Sequence, residues 1–293
     1  MTTEEILKKV RKIEIISRKI SNETFAGEYQ SAFKGRGMEF AEVREYQAGD
    51  DIRFIDWNVS SRMGKLFVKQ FTEERELSLI LAIDLSASLN FFSGSKSKKE
   101  IAAEISAIIA FTAMLNKDKV GLLIYTNQVE LYVPPKKGKT HLLRLIREIL
   151  SFSPKGKGTS INTGLSYLNR ILKKKSIVFL ISDFIDTGFD KPLKIASKKH
   201  DLVAINISDQ RESEIPKKGI FMLRDIETNN DFYIDFSNNS DRKDFADIFK
   251  KNDIMLKEAL KKYKVDIIEI SNEDEYEKPL FNFFLKRKKQ LSR

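Results

Sequence analysis

From residue 76 to residue 209, short apolar runs alternate with longer stretches in which apolar positions recur at helical spacing. Runs that are apolar throughout predict strands covered on both faces, whereas helical spacing predicts amphipathic helices. The predicted strands lie at 77–84, 119–126, 175–182 and 201–207, and the predicted helices at about 98–116, 140–151, 161–173 and 190–198. Such alternation predicts an α/β fold with a doubly wound, mostly parallel sheet between layers of helices.

The segments that precede this pattern have a different character. Residues 3–20 carry apolar side chains at the spacing of one helix face, which predicts an N-terminal helix. Between residues 25 and 71 glycine, aromatic and charged residues predominate, with few helical periods. This composition predicts a small module of short strands and turns.

The residues beyond 209 predict further elements of the α/β domain. A hairpin at 219–236 around Asn229 and Asn230, a helix near 241–262 and a strand at 265–270 can extend the sheet, and a basic, Phe-rich helix follows at 280–290. We therefore divide the chain into an N-terminal helical arm at 1–24, a small β-rich module at 25–75 and the α/β domain at 76–293.

The strand at 77–84 ends in a carboxylate, Asp84, and hydroxyls follow at Ser86 and Ser88. In extended backbone alternate residues point the same way, so the three side chains can converge at the edge of the sheet where ligands bind. One carboxylate and two hydroxyls suit a hard cation such as Mg²⁺ and leave positions for an outside ligand. The alternative is that these residues cap the following helix, because Asp and Ser are favoured there.

Two other predicted loops carry oxygen ligands to the same edge. The strand at 175–182 is followed by Asp183, and a Gly-rich loop at 155–160 brings Thr159 to the start of a helix. The coincidence of three loops favours a metal site over separate caps. A cap or turn role for Asp183 and an N-terminal cap role for Thr159 remain open alternatives.

Composition restricts the chemistry further. The 293 residues include no cysteine and two histidines, which excludes disulfides, thiolate sites and His-rich zinc sites. The amino terminus lacks the apolar segment of a signal peptide, and no stretch reaches the ~20 apolar residues of a spanning helix, so we expect a cytoplasmic protein. The net charge of +10 permits an acidic protein partner, nucleic acid or a membrane surface. Its lysine clusters are expected to be solvated loops; they lie at 96–99, 136–139, 173–175 and 286–289.

Four motifs occur together and in order: residues 35–46, residues 49–57, Asp84-Leu-Ser-Ala-Ser88 and Ser182-Asp-Phe184. Together they resemble the MoxR-associated family of von Willebrand A-like bacterial proteins, over about residues 25–285. The resemblance implies a von Willebrand A (Rossmann-like) domain with a metal-ion-dependent adhesion site. In that site Asp84, Ser86 and Ser88 match the first motif, Thr159 the second and Asp183 the third. It also implies partnership with a MoxR-type AAA+ ATPase as an adaptor or co-chaperone.

The leading hypothesis is therefore a non-catalytic protein-binding module. A divalent cation, with Mg²⁺ favoured over Mn²⁺ or Ca²⁺, would accept an acidic side chain from the partner. Two hypotheses from other classes remain open. One is a metal-dependent phosphohydrolase with Asp183 as its nearest base. The other is a binder of nucleic acid or of an anionic membrane through the basic loops, with nucleic acid the less favoured ligand.

Overall fold

The computed structural model describes residues 3–21, 25–33, 38–73, 77–90, 96–156, 158–209, 219–224, 231–235, 237–271 and 276–291. Within these ranges the strands are β1 (Met38–Glu45), β2 (Phe67–Glu73), β3 (Ser78–Asp84), β4 (Lys119–Tyr125), β5 (Val129–Lys136), β6 (Ile177–Ser182), β7 (Asp201–Ser208), β8 (Ile220–Arg224), β9 (Asp231–Asp235) and β10 (Asp266–Ser271). The α-helices are α1 (Thr3–Ile20), α2 (Ala26–Phe33), α3 (Trp57–Met63), α4 (Lys98–Leu115), α5 (Lys139–Ser151), α6 (Ile161–Ile171), α7 (Asp190–Lys199), α8 (Asn239–Lys262) and α9 (Glu277–Leu291).

The chain forms two compact units. One contains Met1–Ala32 together with Ser78–Arg293, and the other contains Phe33–Leu77. The first unit is therefore discontinuous in sequence, because the arm and helix α2 belong with the large sheet.

The large unit is built on a six-stranded sheet in the order β10-β7-β6-β3-β4-β5. Every neighbouring pair is parallel except β4 with β5. All residues of β6 are buried, and β3 is buried from its second residue onward, as expected for strands with helices on both faces. The predicted α/β class and the mostly parallel sheet are confirmed.

Strand β5 was not expected from the sequence as a separate element. It pairs antiparallel with β4 at one edge of the sheet and contains Val133, Pro134 and Pro135. Proline cannot donate a ladder hydrogen bond, so an edge strand is the position in a sheet that tolerates it. The Pro-Pro pair had obscured the strand pattern.

Helix α4 lies at the centre of one helical layer. It contacts β3, β4 and β7 as well as the helices α1 and α5, and most of its residues are buried. A helix covered on several sides must be apolar nearly all round, which explains the run of Ile and Ala in its sequence. Helix α1 adds Val10 and Ile13 to the core, and Ser21 just beyond it donates a 3.1 Å hydrogen bond to the carbonyl of Ile108 in α4.

The small unit contains the antiparallel pair β1 and β2 and the short helix α3. The prediction of short strands and turns at 25–71 is wrong for α2 and α3. Helix α3 begins where the Asp56 carboxylate accepts from the amides of Asn58 and Val59, and it ends at Gly64, whose φ is 70°. Caps at both ends sustain a two-turn helix that is too short to show a period in the sequence.

The C-terminal elements follow the predicted order, with one correction. Strand β10 extends the sheet beside β7, as predicted, but β8 and β9 form a separate two-stranded sheet. The hairpin cannot join the main sheet beside β7 because β10 occupies that position. The predicted turn at Asn229 and Asn230 lies outside the described residues. No helix within the described ranges combines the length and the apolar character needed to cross a membrane.

Candidate metal centre

The site lies where β3 and β6 end side by side. The two strands are parallel neighbours, with Ile83 paired to Ile181, so the next residues, Asp84 and Ser182, emerge together at the carboxyl edge. The Ser182 hydroxyl donates a 2.8 Å hydrogen bond to Oδ2 of Asp84. Both side chains are fully buried, so the position of the Asp84 carboxylate is fixed from one side by its neighbouring strand.

The predicted triplet after β3 does converge. Oδ1 of Asp84 accepts a 2.9 Å hydrogen bond from the amide of Ser86, and the hydroxyl oxygens of Ser86 and Ser88 lie 3.0 Å apart. Helix α4 is capped by Ser97, whose hydroxyl accepts a hydrogen bond from the amide of Glu100. The triplet thus gathers one carboxylate and two hydroxyls without serving as the cap of α4.

Asp183 follows β6 directly and is almost completely buried. Its Oδ2 atom lies 3.3 Å from the ammonium nitrogen of Lys98, and the exposed fractions of the two side chains are 2% for Asp183 and 0% for Lys98. Its Oδ1 atom accepts a 3.4 Å hydrogen bond from the amide of Ile185. Helix α7 begins after Phe189, so Asp183 does not cap it.

The two carboxylates affect each other electrostatically. Burial, reinforced by the negative charge of Asp183, raises the pKa of Asp84 to about 7, although hydrogen bonds from Ser86 and Ser182 oppose the rise. Burial also raises the pKa of Tyr125 well above its usual value, and the carboxylates of Asp84 and Asp183 add to the effect. Burial beside Asp183 therefore disfavours the ionised form of Asp84, and a bound cation would favour it.

The loop that carries Thr159 is held at the same edge. Ser160 caps α6 by accepting from the amide of Thr163, so the N-cap role considered for Thr159 belongs to its neighbour. The amide of Ile161 donates a 2.7 Å hydrogen bond to Asp186, three residues after Asp183. This bond joins the Thr159 segment to the Asp183 segment.

A second contact anchors the loop before Thr159. Oε1 of Glu130 accepts hydrogen bonds from the amides of Lys155 and Gly156, at 3.1 and 2.7 Å. A β-carbon on Gly156 would clash with the hydroxyl oxygen of Thr126 and with Oδ1 of Asn127. A larger residue would have to displace these side chains, so the close approach of the loop favours glycine.

The donor set fits a hard divalent cation. Nowhere in the described part of the chain do three or more Asp, Glu or His side chains gather as ligands, so a cation here would rely on two carboxylates and neutral hydroxyls. Mg²⁺ needs only one or two carboxylates and accepts such oxygens. Asp84, Asp183, Ser86 and Ser88 could hold it directly or through water, with Thr159 on the adjoining loop.

Three residues of the site were not among the candidates: Lys98, Tyr125 and Asp186. Ser182 was recognised in the motif with Asp183, but its contact with Asp84 was not predicted. The interpretation of 96–99 as a solvated loop is wrong for Lys98, which is fully buried. One signal was available, because a lysine in the first turn of a helix opposes the helix dipole and therefore calls for a compensating anion. Tyr125 could have been found from the register, since it pairs with Asp84 on the neighbouring strand.

Comparison with solved structures gives similarities at low sequence identity. BatB, a conserved hypothetical protein from Bacteroides thetaiotaomicron, is 18% identical with a TM-score of 0.48, over 73% of this chain and 99% of that chain. The SpRpn10 VWA domain is 13% identical with a TM-score of 0.38, over 70% of this chain and 93% of that chain.

The sequence relatives include proteins of uncharacterized function. Mb1516 from Mycobacterium bovis is 29% identical over 222 residues, which cover 75% of this chain and 70% of that protein. YeaD from Bacillus subtilis is 28% identical over 109 residues, or 37% of this chain and 25% of that protein.

One family model spans most of the chain. It matches residues 42–254 and carries the description "Protein of unknown function DUF58". The matched stretch contains all five predicted metal ligands, from Asp84 to Asp183. On this match, which covers more than half of its length, the chain belongs to the DUF58 family.

Proposed function

We propose that this protein is a non-catalytic adaptor that binds a partner protein through a divalent cation held at the carboxyl edge of its sheet. The observation that supports this proposal most strongly is that two buried carboxylates, Asp84 and Asp183, lie at the same edge as the paired hydroxyls of Ser86 and Ser88. Mg²⁺ is the proposed cation, and Thr159 the proposed fifth ligand. A cation bound here would offer an open coordination position to a carboxylate of the partner.

The charge of the site supports an acidic ligand from the partner. Asp84 and Asp183 together carry two negative charges when both are ionised, which balances a divalent cation. An approaching carboxylate then meets no net repulsion, whereas a third acidic ligand in the site would repel it. Ser182 assists by holding Asp84 in place through its hydroxyl.

The proposed partner is a MoxR-type AAA+ ATPase, and this choice rests on the resemblance carried by residues 35–46, 49–57, 84–88 and 182–184. The proposed location is the cytoplasm, as expected from the sequence. The cation-binding edge is the surface that we expect the ATPase to contact.

Binding to a purified MoxR-type ATPase from the same cell tests the proposal. We would compare the wild type, Asp84→Asn and Asp183→Asn, each in Mg²⁺ and in EDTA, with Asp190→Asn as the control. Asp190 lies in the first turn of α7 and is exposed, so its loss leaves the site intact. We expect Asp84→Asn, Asp183→Asn and EDTA each to weaken binding at least about tenfold, because each removes a ligand or the cation itself.

Three results would contradict the proposal. Binding that ignores both EDTA and the two site variants would assign the ATPase to another surface. Turnover of a phosphoester by the wild type that is lost in Asp183→Asn would favour the phosphohydrolase. Binding of nucleic acid or anionic vesicles that falls steeply with salt and ignores EDTA would favour the basic loops, of which Lys173 to Lys175 are exposed.

A further inference from the structure

A lysine is buried inside the proposed cation site. Lys98 is fully buried, and its ammonium nitrogen lies 3.3 Å from Oδ2 of Asp183. We propose that Lys98 is a resident counter-ion that stabilises the site without metal and competes with the divalent cation for Asp183. This inference rests on the proposed function, because it assigns a second role to the same carboxylates.

The placement of Lys98 is costly unless an anion compensates for it. Lys98 is the first residue of α4, directly after the N-cap Ser97. The helix dipole disfavours a positive charge at this position. Burial adds a desolvation penalty for an ammonium group. Asp183 supplies the compensating charge, since its own carboxylate is equally buried. Each of these buried charges would be unfavourable without the other, and the contact between Lys98 and Asp183 compensates both.

The neighbouring lysines show that burial is particular to Lys98. Lys96 pairs with Glu104 at 2.6 Å and remains partly exposed, and Lys99 donates a 2.7 Å hydrogen bond to the carbonyl of Phe152. Neither of these contacts involves Asp84 or Asp183. The sequence thus supplies three lysines within four positions, and the fold directs Lys98 to the carboxylates.

The charges give Lys98 two opposite effects. With both carboxylates ionised, the site carries a net charge of −1 without metal, and +1 after a divalent cation enters. Repulsion from the ammonium group weakens cation binding, but the surplus positive charge of the loaded site favours a carboxylate from the partner. When both carboxylates are ionised, loading thus changes the charge of the site from −1 to +1. Lys98 supplies the surplus positive charge that attracts a carboxylate to the loaded site.

Lys98→Met tests the proposal, with Lys99→Met as the matched control. Methionine retains much of the volume and removes the charge. We would measure the thermal midpoint in EDTA and the dissociation constant for Mn²⁺ by calorimetry at pH 8. We expect Lys98→Met to unfold at a lower temperature in EDTA and to bind Mn²⁺ at least about tenfold more tightly than the wild type. Lys99→Met should match the wild type in Mn²⁺ affinity.

The outcomes separate this inference from the proposed function. If the wild type binds Mn²⁺ and Lys98→Met binds it no more tightly, Lys98 does not compete and the inference is overturned while the adaptor stands. If only Lys98→Met binds Mn²⁺, the competition is supported and the metal dependence of the wild type fails. Absence of Mn²⁺ binding in both proteins overturns both.

A second variant covers the case in which Lys98→Met does not fold in EDTA. The double variant Lys98→Met with Asp183→Asn removes both buried charges, so we expect it to regain folding without metal. Recovery supports the pairing of Lys98 with Asp183. A double variant as unstable as Lys98→Met would show that Lys98 does not act through this carboxylate, and would overturn the inference.

Discussion

The environment of Asp84 favours its protonated form when no cation is present. Burial of its side chain and electrostatic repulsion from the carboxylate of Asp183 raise the pKa of Asp84 to about 7. A carboxyl group in the unfolded chain has a pKa of about 3.9, so the folded protein binds this proton more tightly than the unfolded protein. The stability gained from the protonated form is complete below the unfolded-state pKa of about 3.9 and is lost as the pH rises through the folded-state pKa of about 7.

This asymmetry predicts a pH profile for the metal-free protein. Between pH 4 and pH 8 in EDTA, the wild type should lose on the order of 1–3 kcal/mol of unfolding free energy relative to Asp84→Asn. Asparagine remains neutral and can still accept from the amide of Ser86. Urea unfolding of both proteins across this range measures the difference, and other titrating groups cancel because both proteins contain them. Parallel profiles would show that Asp84 is ionised throughout.

Two residues show which parts of the site could be predicted from the sequence and which could not. Asp84 was identifiable because a buried strand ends in it and alternate hydroxyls follow. Lys98 was not, because a lysine within a run of lysines resembles solvated surface until the fold shows which one faces inward. Burial of a single member of a cluster depends on tertiary packing, which periodicity does not encode.

Among the elements, the large sheet was the most predictable part. Strands β3, β4, β6 and β7 begin and end within about two residues of their predicted bounds, since continuous apolar runs flanked by polar residues mark them clearly. Strand β5 and helices α2 and α3 were missed. Prolines interrupt the first, and the helices are too short for a period. Their formation depends on an edge position, on caps and on packing rather than on pattern.

Helix α9 is held against the sheet by ion pairs from Arg287, and replacing this residue tests how much they stabilise the fold. Arg287 donates to Asp201 at the start of β7, at 2.6 and 3.1 Å, and to Asp266 at the start of β10, at 2.7 Å. Its side chain is largely buried, so Arg287→Met would leave two carboxylates without their cation. We expect a loss of about 1–3 kcal/mol in unfolding free energy, measured with urea.

Lys286→Met provides the comparison for Arg287→Met. Lys286 is exposed on the same helix and adjacent in sequence, so its replacement should change stability by less than about 0.5 kcal/mol. Equal midpoints for the two variants would mean that the bonds from Arg287 to Asp201 and Asp266 add nothing beyond a surface ion pair.

At the scale of the whole molecule, the division of the chain differs from a linear series of segments. The arm and α2 belong to the unit of the large sheet, and the small unit Phe33–Leu77 is inserted between them and β3. Aromatic contacts support this grouping, since the ring centroids of Phe25 and Phe284 lie 5.5 Å apart, and those of Tyr29 and Phe284 lie 5.9 Å apart. Contacts between opposite ends of a chain cannot be inferred from local patterns.

Because α1 is part of this unit, its buried face should matter to the unit's stability, and its outer face should not. Val10 and Ile13 are 6% and 5% exposed, whereas Leu7 and Ile15 are 47% and 63% exposed. We expect the double variant Val10→Ala and Ile13→Ala to lower the unfolding free energy by about 3–6 kcal/mol. The control pair, Leu7→Ala and Ile15→Ala, should cost less than about 1 kcal/mol.

The signal used to follow unfolding decides whether this comparison is informative. The only tryptophan of the chain, Trp57, lies in the small unit, so its fluorescence does not report directly on the unit that contains α1. Far-ultraviolet circular dichroism does, because most of the described helices belong to the large unit. A shift of the dichroism midpoint in the Val10 and Ile13 variant alone would establish that α1 folds with the sheet. Equal shifts in both double variants would mean that α1 contributes only helix, and that the core closes without it.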